Sequence, residues 1–405
     1  MRTLNVKLVN AMVPVVVSLM ACQGQEPHPP AGDFDSHYSN GLNSQQISDG
    51  WLSLFDAQTL YGWKPTSNTD WKVVNRELRA TTGIAGMLRT TSQFDDFELR
   101  LEFKADSETE SGVLIRTSPY PEVPGRDCFE INIAPPSSSY PTGSIVGMKK
   151  NSSSHVAKNW NQLRIVADKD LIKVWVNETQ TVELKLKSGN AARGYIGLQH
   201  QKGKILFRKI FLRPLATSPL FDGKTLAGWD VSSLQASTAV VKRGEINLTG
   251  GSGQVESKKR FGDFVFSLHC KTNSEGLNSG VFFRCIPGEL MNGYESQIQN
   301  QFEGDPAQPT NWGTGAIFRR KPARRVNASD KKWFAKTIVM TGPHVAVWVN
   351  GYQVVDWTDK RKPDKNPRRG LRLEPGTIIF QGHDPTTDIS FRNIFAKEQS
   401  RRWLK

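Results

Sequence analysis

Four side chains with complementary proton chemistry lie between residues 284 and 383 of this chain. They are Arg284, Glu295, Gln297 and His383. A carboxylate and an imidazole can exchange protons with a substrate near neutral pH. A guanidinium can stabilise developing negative charge, and an amide can orient a hydroxyl group. The set therefore indicates acid–base chemistry on a polar substrate.

The same chemistry recurs about 165 residues earlier in the chain, with one amide exchanged for another. The earlier set is Arg116, Glu130, Asn132 and His200. Each type of residue also has a structural interpretation. A glutamate on an alternating strand can face solvent, an arginine can pair with a buried carboxylate or a backbone carbonyl, and a histidine can be structural or exposed. Both interpretations stay open at this point.

The two sets belong to a duplication of most of the chain. Ser-Gly-Val-Leu-Ile-Arg at 111–116 matches Ser-Gly-Val-Phe-Phe-Arg at 279–284, and Val-Trp-Val-Asn occurs at both 174–177 and 347–350. The offset between the copies grows along the chain, so the second copy carries longer loops. A period this long indicates duplicated domains, because solenoid repeats run for about 20 to 50 residues.

Apolar residues in both copies alternate over short runs, as at 97–103 and 264–270, which is the period of a half-buried strand. Further strands are predicted at 113–116, 162–168, 172–177, 195–200, 205–212, 281–284, 335–340, 345–350, 377–381 and 389–397. Many short strands with Gly and Asn turns predict an all-β chain of two tandem antiparallel β-sandwich or jelly-roll domains. The link 213–219 has almost no slack, so the two domains should touch.

Five segments are predicted along the chain. They are an export signal at 1–22, a flexible tether at 23–49, sandwiches at 50–215 and 219–398, and a basic tail at 399–405. Leu-Met-Ala-Cys at 19–22 resembles a bacterial lipobox, which would make Cys22 the lipidation site. A plain secretory signal and a short membrane anchor are the alternatives. The resemblance to a lipobox implies a lipid anchor in the cell envelope, and by resemblance to Gram-negative sorting the absence of Asp after the cysteine, where Gln23 stands, favours the outer membrane.

The chain carries a net charge of +14, and much of the excess falls late in the sequence. The basic clusters are 319–321, 324–325, 331–332, 360–362 and 368–369. Outside the cytoplasm they could meet anionic polysaccharide or lipid headgroups, whereas solvated loops are the simpler interpretation. Nucleic acid is not expected as a partner, and membrane contact is expected through the lipid anchor only.

Three cysteines remain after Cys22: Cys128, Cys270 and Cys285. An odd number cannot all pair within one chain. Cys270 and Cys285 lie on strands joined by a short loop, so a cross-strand disulfide is one possibility and buried free thiols are the favoured one.

A series of motifs in the second copy resembles the 3-keto-disaccharide hydrolase family. The series is Phe-Asp-Gly-Lys-Thr-Leu-Ala-Gly-Trp at 221–229, Gly-Asp-Phe at 262–264, Asn-Ser-Gly-Val-Phe-Phe-Arg at 278–284, Tyr-Glu-Ser-Gln-Ile at 294–298, Thr-Gly-Ala at 314–316, Trp-Val-Asn-Gly at 348–351 and Phe-Arg-Asn-Ile at 391–394. The first copy carries the series with substitutions. The resemblance covers about residues 51–397 and implies a concanavalin/LamG-like jelly roll that acts on carbohydrates whose C3 hydroxyl a partner dehydrogenase has oxidised.

The resemblance also implies a reaction. A ketone at C3 acidifies the C2 proton, so a base can form an enolate that expels the C1 substituent before water adds back. Glu295 would then be the base or a metal ligand, and Arg284 would clamp the enolate or a hydroxyl group. Gln297 would orient the substrate and His383 would be the acid. The first copy offers, in the same order, Glu130, Arg116, Asn132 and His200.

Two further residues are candidates for substrate binding. Trp312 lies among Gly, Pro and Asn in the loop 302–313, where it could stack on a sugar ring, and that loop is a candidate lid. Asn300 stands where the family often has an acid, which weakens any metal site. No metal ligand set of zinc type is apparent, so no cofactor is expected, and a structural calcium stays open.

The first copy departs from the family pattern, which puts its catalysis in doubt more than its fold. Asn132 replaces Gln, Glu178 replaces Gly after Trp-Val-Asn, and Ala57-Gln58 replaces Gly-Lys. The leading hypothesis is an exported hydrolase of 3-keto-glycosides. The alternatives are a non-catalytic carbohydrate-binding lipoprotein of the same fold and a structural envelope protein that holds an anionic polymer.

Overall fold

The computed structural model describes residues 41–151, 156–187 and 190–400, all within one unit of the chain, 31–405. The predicted export signal, Cys22, residues 23–40 of the tether and most of the basic tail lie outside the described residues. Among the helices that the structure does describe, none is long and apolar enough to cross a membrane.

The predicted tether ends earlier than residue 49. Residues Ser44–Ser48 form helix α1, in which Asn43 and Gln46 cap each other reciprocally. Leu42 and Ile47 are buried against Trp51. A segment rich in Ser, Asn and Gln therefore becomes ordered, because its two apolar side chains are spaced so that both are buried.

The first copy forms strands β1 to β13 in the described chain. They are β1 Leu52–Ser53, β2 Trp63–Pro65, β3 Lys72–Val74, β4 Glu77–Ala80, β5 Gly86–Thr90, β6 Phe97–Ala105, β7 Glu110–Thr117, β8 Phe129–Ile133, β9 Asn161–Asp168, β10 Leu171–Val176, β11 Thr179–Lys185, β12 Tyr195–Lys202 and β13 Ile205–Pro214. An eight-stranded sheet runs β11-β10-β9-β6-β13-β4-β3 with β1 beside β13, and a five-stranded sheet runs β2-β5-β12-β7-β8.

The second copy forms strands β14 to β26 and a short 3₁₀ helix at Thr310–Trp312. The strands are β14 Ser218–Pro219, β15 Trp229–Asp230, β16 Ser237–Lys242, β17 Glu245–Gly250, β18 Gly253–Ser257, β19 Phe264–Thr272, β20 Ser279–Cys285, β21 Tyr294–Ile298, β22 Phe334–Thr341, β23 His344–Val349, β24 Tyr352–Thr358, β25 Thr377–Gly382 and β26 Asp388–Glu398. Their order repeats that of the first copy strand for strand, in sheets of eight and five strands.

The predicted fold class is confirmed: the chain is two tandem antiparallel jelly-roll sandwiches. Alternation places Phe97, Leu99, Leu101 and Phe103 on the buried side of β6, where they meet the apolar side of the five-stranded sheet. The predicted strands coincide with observed ones in both copies. Each sandwich thus buries one apolar face of each of its two sheets.

The two sandwiches touch, as the short link predicts. Four residues of the second copy lie on the outer side of its larger sheet and join the first copy's apolar cluster: Val265, Val339, Ala346 and Trp348. The indole of Trp348 donates a hydrogen bond to the Ser53 carbonyl at 3.0 Å. Ion pairs also connect the copies: Arg193–Asp263 at 2.8 Å, Arg324–Asp56 at 2.8 Å and Lys397–Asp95 at 3.0 Å.

Cys128, Cys270 and Cys285 are free and buried, as favoured from the sequence. The alternative disulfide between Cys270 and Cys285 is wrong. Cys270 lies in the sandwich core on β19, whereas Cys285 belongs to a separate cluster with Phe282 and Ile379 on the other side of the five-stranded sheet. The two strands belong to different sheets, so their loop does not make them neighbours.

Candidate functional site

The site lies on the side of the second copy's five-stranded sheet that faces away from the sandwich core. Five polar side chains on this side are buried, and we call them the polar face: Gln254, Glu256, Glu295, Gln297 and Gln381. Segments beyond the strands cover them, because Met291 donates its N–H to Gln254 at 2.7 Å and Arg368 reaches Glu295 from the loop 359–376. Buried polar groups at this density cost free energy unless they are hydrogen-bonded.

Glu295 is the centre of the polar face and is only 7% exposed. It lines a pocket of about 120 Å³ together with Phe318, Arg319, Arg320 and Arg368. The nearest ion-pair contact is 3.7 Å, from Arg368 Nη2 to Glu295 Oε2. A carboxylate at this distance is attracted to the guanidinium but keeps its oxygens available to a ligand.

Gly280, on the neighbouring strand, makes room for this carboxylate. A Cβ atom at residue 280 would lie 2.9 Å from both Cγ and Oε1 of Glu295. The first copy repeats the arrangement, since a Cβ at Gly112 would lie 3.2 Å from Cγ and Oε1 of Glu130. A glycine beside the glutamate is therefore part of the site in both copies.

Burial raises the pKa of Glu295 from 4.5 to about 7. The positive charges of Arg368, Lys336 and Arg319 oppose this rise without cancelling it, and so does His383 whenever it is protonated. Near neutral pH the carboxyl group is therefore divided between its acid and its base form. Such a group can both accept and return a proton, which is the property of a general base.

Lys336 lies beneath the site and is fully buried. Its ammonium group crosses the sandwich from β22 and donates to the carbonyls of Ser296 and Gln297 at 2.7 and 2.9 Å. Burial lowers the pKa of Lys336 to about 8, and the charge of Glu295 acts in the opposite direction. The register places Leu163 at this position in the first copy, so the buried cation belongs to the second copy.

A chain of hydrogen bonds runs from the polar face to the loop after β25. Gln297 donates to Asn278 at 2.7 Å, and Asn278 contacts His383 Nε2 at 2.9 Å. His383 Nδ1 in turn contacts Asp384 at 2.7 Å. The neutral imidazole satisfies both contacts when Nδ1 carries the proton. His383 is 38% exposed, so it can exchange protons with solvent.

The predicted clamp residues Arg284 and Arg116 occupy structural positions instead. Arg284 donates to the carbonyls of Gly262, Gly342 and Arg372 and pairs with Asp263 at 2.9 Å. Arg116 repeats this with two carbonyls and Asp96. A β-bulge with φ near +49° turns Arg284 away from the side that carries Glu295. The contacts of both arginines are therefore those of the structural interpretation.

Asn300 and Trp312 also lie away from the Glu295 pocket. Asn300 is buried on the core side, donates to Asp330 at 2.9 Å and accepts from Thr314. Trp312 packs edge-on against Phe318 at 6.0 Å between ring centroids, and it is Phe318 that lines the pocket. The loop 302–313 supports the pocket wall, and the loop 359–376 supplies the covering residue.

Glu130 in the first copy has a simpler environment than Glu295. Burial raises its pKa, and a hydrogen bond from Gln199 opposes the rise. Among the described residues, no cation forms an ion pair with Glu130. The amide of Asn132 donates to the Tyr140 carbonyl. The loop equivalent to 359–376 is half as long here, at 186–194, so the first copy has a shorter covering segment.

His200 is not the counterpart of His383. The strand register pairs Gly86 with His200 and Gly253 with Gly382, so His200 corresponds to Gly382. The side chain of His200 is buried and bonds the Gly203 carbonyl at 2.9 Å. A shift of one residue along a strand moves a side chain to the opposite face. The prediction of His200 as an acid equivalent to His383 is therefore wrong.

Sequence reasoning missed three residues of the site: Arg368, Lys336 and Asn278. Arg368 belongs to a basic cluster in the sequence, and the signal that could reveal its role is that the offset between the copies grows most across its loop. Lys336 interrupts an otherwise apolar strand, which is the signal that could have revealed a buried cation. Asn278 precedes a predicted strand. Among the described residues, no group of three or more His, Cys, Asp or Glu side chains could hold a metal ion.

The described chain is thus a tandem jelly-roll protein whose second copy encloses a carboxylate beside a cation. The family model of the 3-keto-alpha-glucoside-1,2-lyase-like domain matches residues 50–213 and again 216–397. The chain therefore belongs to this family, with two copies of its domain. No curated protein sequence matches it.

Solved structures share parts of this fold. Two crystal structures of proposed glycosyl hydrolases from Parabacteroides distasonis ATCC 8503 are 17% and 25% identical, with TM-scores of 0.39 and 0.36. They cover 44% and 41% of this chain and 99% of their own chains. The carbohydrate binding module CBM66 from Bacillus subtilis is 11% identical, covers 38% of this chain and 95% of its own, and has a TM-score of 0.30.

Proposed function

We propose that the second copy cleaves 3-keto-glycosides by elimination followed by hydration. The Glu295 carboxylate removes the proton from C2, and the C2–H electron pair forms the enolate of the C3 ketone. The enolate then expels the C1 substituent, which leaves as an alcohol after it gains a proton. Water adds across the resulting double bond and releases the free 3-keto sugar. No oxidant or reductant is consumed in these steps.

The observation that carries this proposal is the buried Glu295 with a pKa of about 7. A carboxylate with the usual pKa near 4.5 would be a weak base, whereas one near 7 is a stronger base and a substantial share of it is ionised at neutral pH. The pocket of about 120 Å³ receives an edge of a sugar ring rather than a whole disaccharide. That size suits a base that must reach a single C–H bond.

The cations around the pocket suit the enolate. Arg319, Arg320 and Arg368 line it, and Arg368 lies 3.7 Å from the carboxylate of Glu295. Negative charge that moves from the carboxylate to the C3 oxygen would stay within reach of the same guanidinium group. Such fixed donors are most effective where water is displaced. Arg368 thus takes the role that the sequence assigned to Arg284.

His383 is the proposed acid for the leaving alcohol. Its Nδ1 lies 2.7 Å from the Asp384 carboxylate, and this contact fixes the orientation of the imidazole in the loop after β25. The Asn278 amide now lies 2.9 Å from Nε2 of His383. During the reaction this hydrogen bond would break, and Nε2 would bond the leaving oxygen instead. Gln297 holds Asn278 in place, so the amide chain also fixes the position of the imidazole.

The proposal extends to where the protein acts and what supplies its substrate. A dehydrogenase that oxidises a C3 hydroxyl must precede this reaction, because the enolate needs the ketone. The lipobox-like residues 19–22 support anchoring of the protein in the cell envelope through Cys22. We expect Cys22→Ser to move the full-length chain from the membrane fraction to the soluble fraction, and an unchanged distribution would contradict the lipid anchor.

The test of the reaction is release of free sugar from a panel of 3-keto-glucosides. We expect turnover by the unchanged protein, loss of at least 100-fold with Glu295→Gln, and little change with Glu130→Gln, the matched variant in the first copy. Retained turnover in Glu295→Gln contradicts the assignment of the base. Glycan binding without turnover on any keto-sugar would instead support the carbohydrate-binding alternative.

A further inference from the structure

A second cleft, separate from the Glu295 pocket, lies where the two described sandwiches meet. A cavity of about 480 Å³ opens where the outer side of the first copy's five-stranded sheet meets the turn between β22 and β23. The first copy contributes Lys64, Arg89, Gln93 and Tyr195, among others, and the second contributes residues around His344. Its volume lies in the range of about 300 to 1,000 Å³ typical of ligand sites. Neither copy alone forms this cleft.

The charge of the cleft is positive. Lys64, Arg89 and Arg193 line it, together with one carboxylate, Asp263. That carboxylate is already neutralised, because Arg193 and Arg284 both pair with it at 2.8 and 2.9 Å. Among the lining residues no other carboxylate compensates Lys64 and Arg89, and the nearby Asp356 is held behind the wall by Thr91 and His344. A low-dielectric cleft with one sign of charge concentrates ligands of the opposite sign.

Several buried polar atoms of the cleft have no hydrogen-bond partner. They are Gln93 Oε1, Arg89 Nε and His344 Nδ1. Gln93 is only 6% exposed, and its Nε2 holds the Tyr195 hydroxyl at 3.1 Å, which leaves its oxygen for a donor in the cleft. Buried polar atoms are normally satisfied by protein, water or ligand. The unsatisfied set contains acceptors and donors, as a polyhydroxylated ligand requires.

Arg89 and Tyr195 form a platform on the cleft wall. The Arg89 guanidinium lies 4.1 Å from the centre of the Tyr195 ring, which keeps its plane fixed. A fixed guanidinium matches the two oxygens of a carboxylate better than a mobile ammonium does. The first copy's sheet thus presents an oriented cation at the entrance to a cavity lined by hydrogen-bonding groups.

We propose that this interdomain cleft binds a saccharide that carries a carboxylate, that is, a uronic acid. Arg89 and Lys64 hold the carboxylate, while Gln93 and His344 bond the hydroxyl groups. The cleft is separate from the Glu295 pocket and takes part in no step of the cleavage. It lets the first copy, whose own glutamate has only a shorter covering segment, serve as the module that holds acidic glycan.

The test compares two disaccharides that differ in one group, cellobiuronic acid and cellobiose, by calorimetry on the whole protein at 0.15 M salt. We expect cellobiuronic acid to bind at least tenfold more tightly. Arg89→Gln and Lys64→Gln should each weaken it by tenfold or more. Lys202→Gln serves as the matched control, because Lys202 is an exposed cation at the far end of the same sheet and pairs with Glu110.

Two further arms separate this proposal from its competitors. Glu295→Gln should leave the affinity for cellobiuronic acid unchanged, so failure of the proposed reaction does not affect this result. Inorganic sulfate should compete only weakly. Equal affinity for both disaccharides, equal binding of sulfate alone, or no effect of the Arg89 and Lys64 variants would each overturn the proposal.

Discussion

The buried carboxyl group of Glu295 makes a quantitative prediction about stability. Its pKa rises from 4.5 to about 7 on folding. One pKa unit corresponds to about 1.4 kcal/mol, so ionising this group in the folded protein costs about 3 kcal/mol. The native state binds the proton more tightly than the unfolded chain does. The stability that the protonated form supplies is therefore complete below about pH 4.5 and is lost as the pH rises towards 7.

Glu295→Gln removes this loss, because glutamine has nearly the same shape and does not ionise. We expect the free energy of unfolding of the variant, relative to the unchanged protein, to increase by about 3 kcal/mol between pH 4.5 and pH 8. Lys336, with its pKa lowered to about 8, keeps its charge over most of this interval. Urea denaturation at several pH values, followed by tryptophan fluorescence, measures the difference.

Glu102→Gln provides a control of opposite sign. Burial works against ionisation of Glu102, but bonds from Lys209 and Arg208 prevail and lower its pKa. This carboxylate therefore stabilises the protein above about pH 4.5, and that stability is lost as the pH falls further. The variant should be less stable at pH 7. A difference for Glu295→Gln that stays flat from pH 4.5 to 8, or that shrinks, would refute the reasoning about the buried carboxyl group.

Three further predictions concern the surroundings of the site. Arg368→Gln should lower kcat/KM on a 3-keto-glucoside by about 100-fold, because a charge that stabilises the enolate is lost, whereas the exposed neighbour variant Arg369→Gln should have little effect. Gly280→Ala should reduce turnover and should lower the free energy of unfolding by about 1 to 3 kcal/mol, because the new Cβ would lie 2.9 Å from Glu295. The control is Gly112→Ala, whose Cβ would lie 3.2 Å from Glu130. It should affect stability less and turnover hardly at all. Arg284→Gln should destabilise the protein by about 3 to 5 kcal/mol in urea titration, while the turnover per folded molecule stays within a few-fold of the unchanged protein. Unchanged stability with a large loss of turnover would instead support the predicted role of Arg284 as a clamp.

The fold could be predicted from the sequence because its signals are local and occur twice. The alternation in β6 and β19 is visible over nine residues in each copy. The order of strands follows from the family resemblance rather than from periodicity. The register of each strand, which decides the side that a residue faces, could not be predicted from the sequence. A difference of one residue between Gln199-His200 and Gln381-Gly-His383 moves the histidine from the core side to a loop, and no property of the residues themselves reveals it.

The site was predictable in part. Glu295 and Gln297 share the outward side of β21, whereas His383 follows β25, which β20 separates from β21. Asn278 links Gln297 to His383 through hydrogen bonds. Arg284 does not join them, because a β-bulge reverses its direction, and bulges leave little trace in a sequence. Arg368 comes from a long loop about 70 residues further along the chain. Contacts of that kind depend on how a loop folds back.

The contact between the sandwiches is one-sided, because the two copies differ on the side that forms it. The register aligns Val265, Ala346 and Trp348 with Glu98, Lys173 and Trp175. Glu98 accepts salt bridges from three arginines, and one of these, Arg164, lies over the Trp175 ring at 4.3 Å. An apolar surface in one copy is thus a highly charged one in the other.

This difference determines how the molecule can associate with itself. If both copies carried the apolar surface, each chain could place its first copy on the second copy of another chain. Such a head-to-tail contact does not close and leads to fibres. The charges around Glu98 prevent that growth, just as polar end repeats terminate a repeat protein. Duplication therefore yields a pair of fixed length, and replacing these charges with apolar residues is the change that would most favour polymerisation.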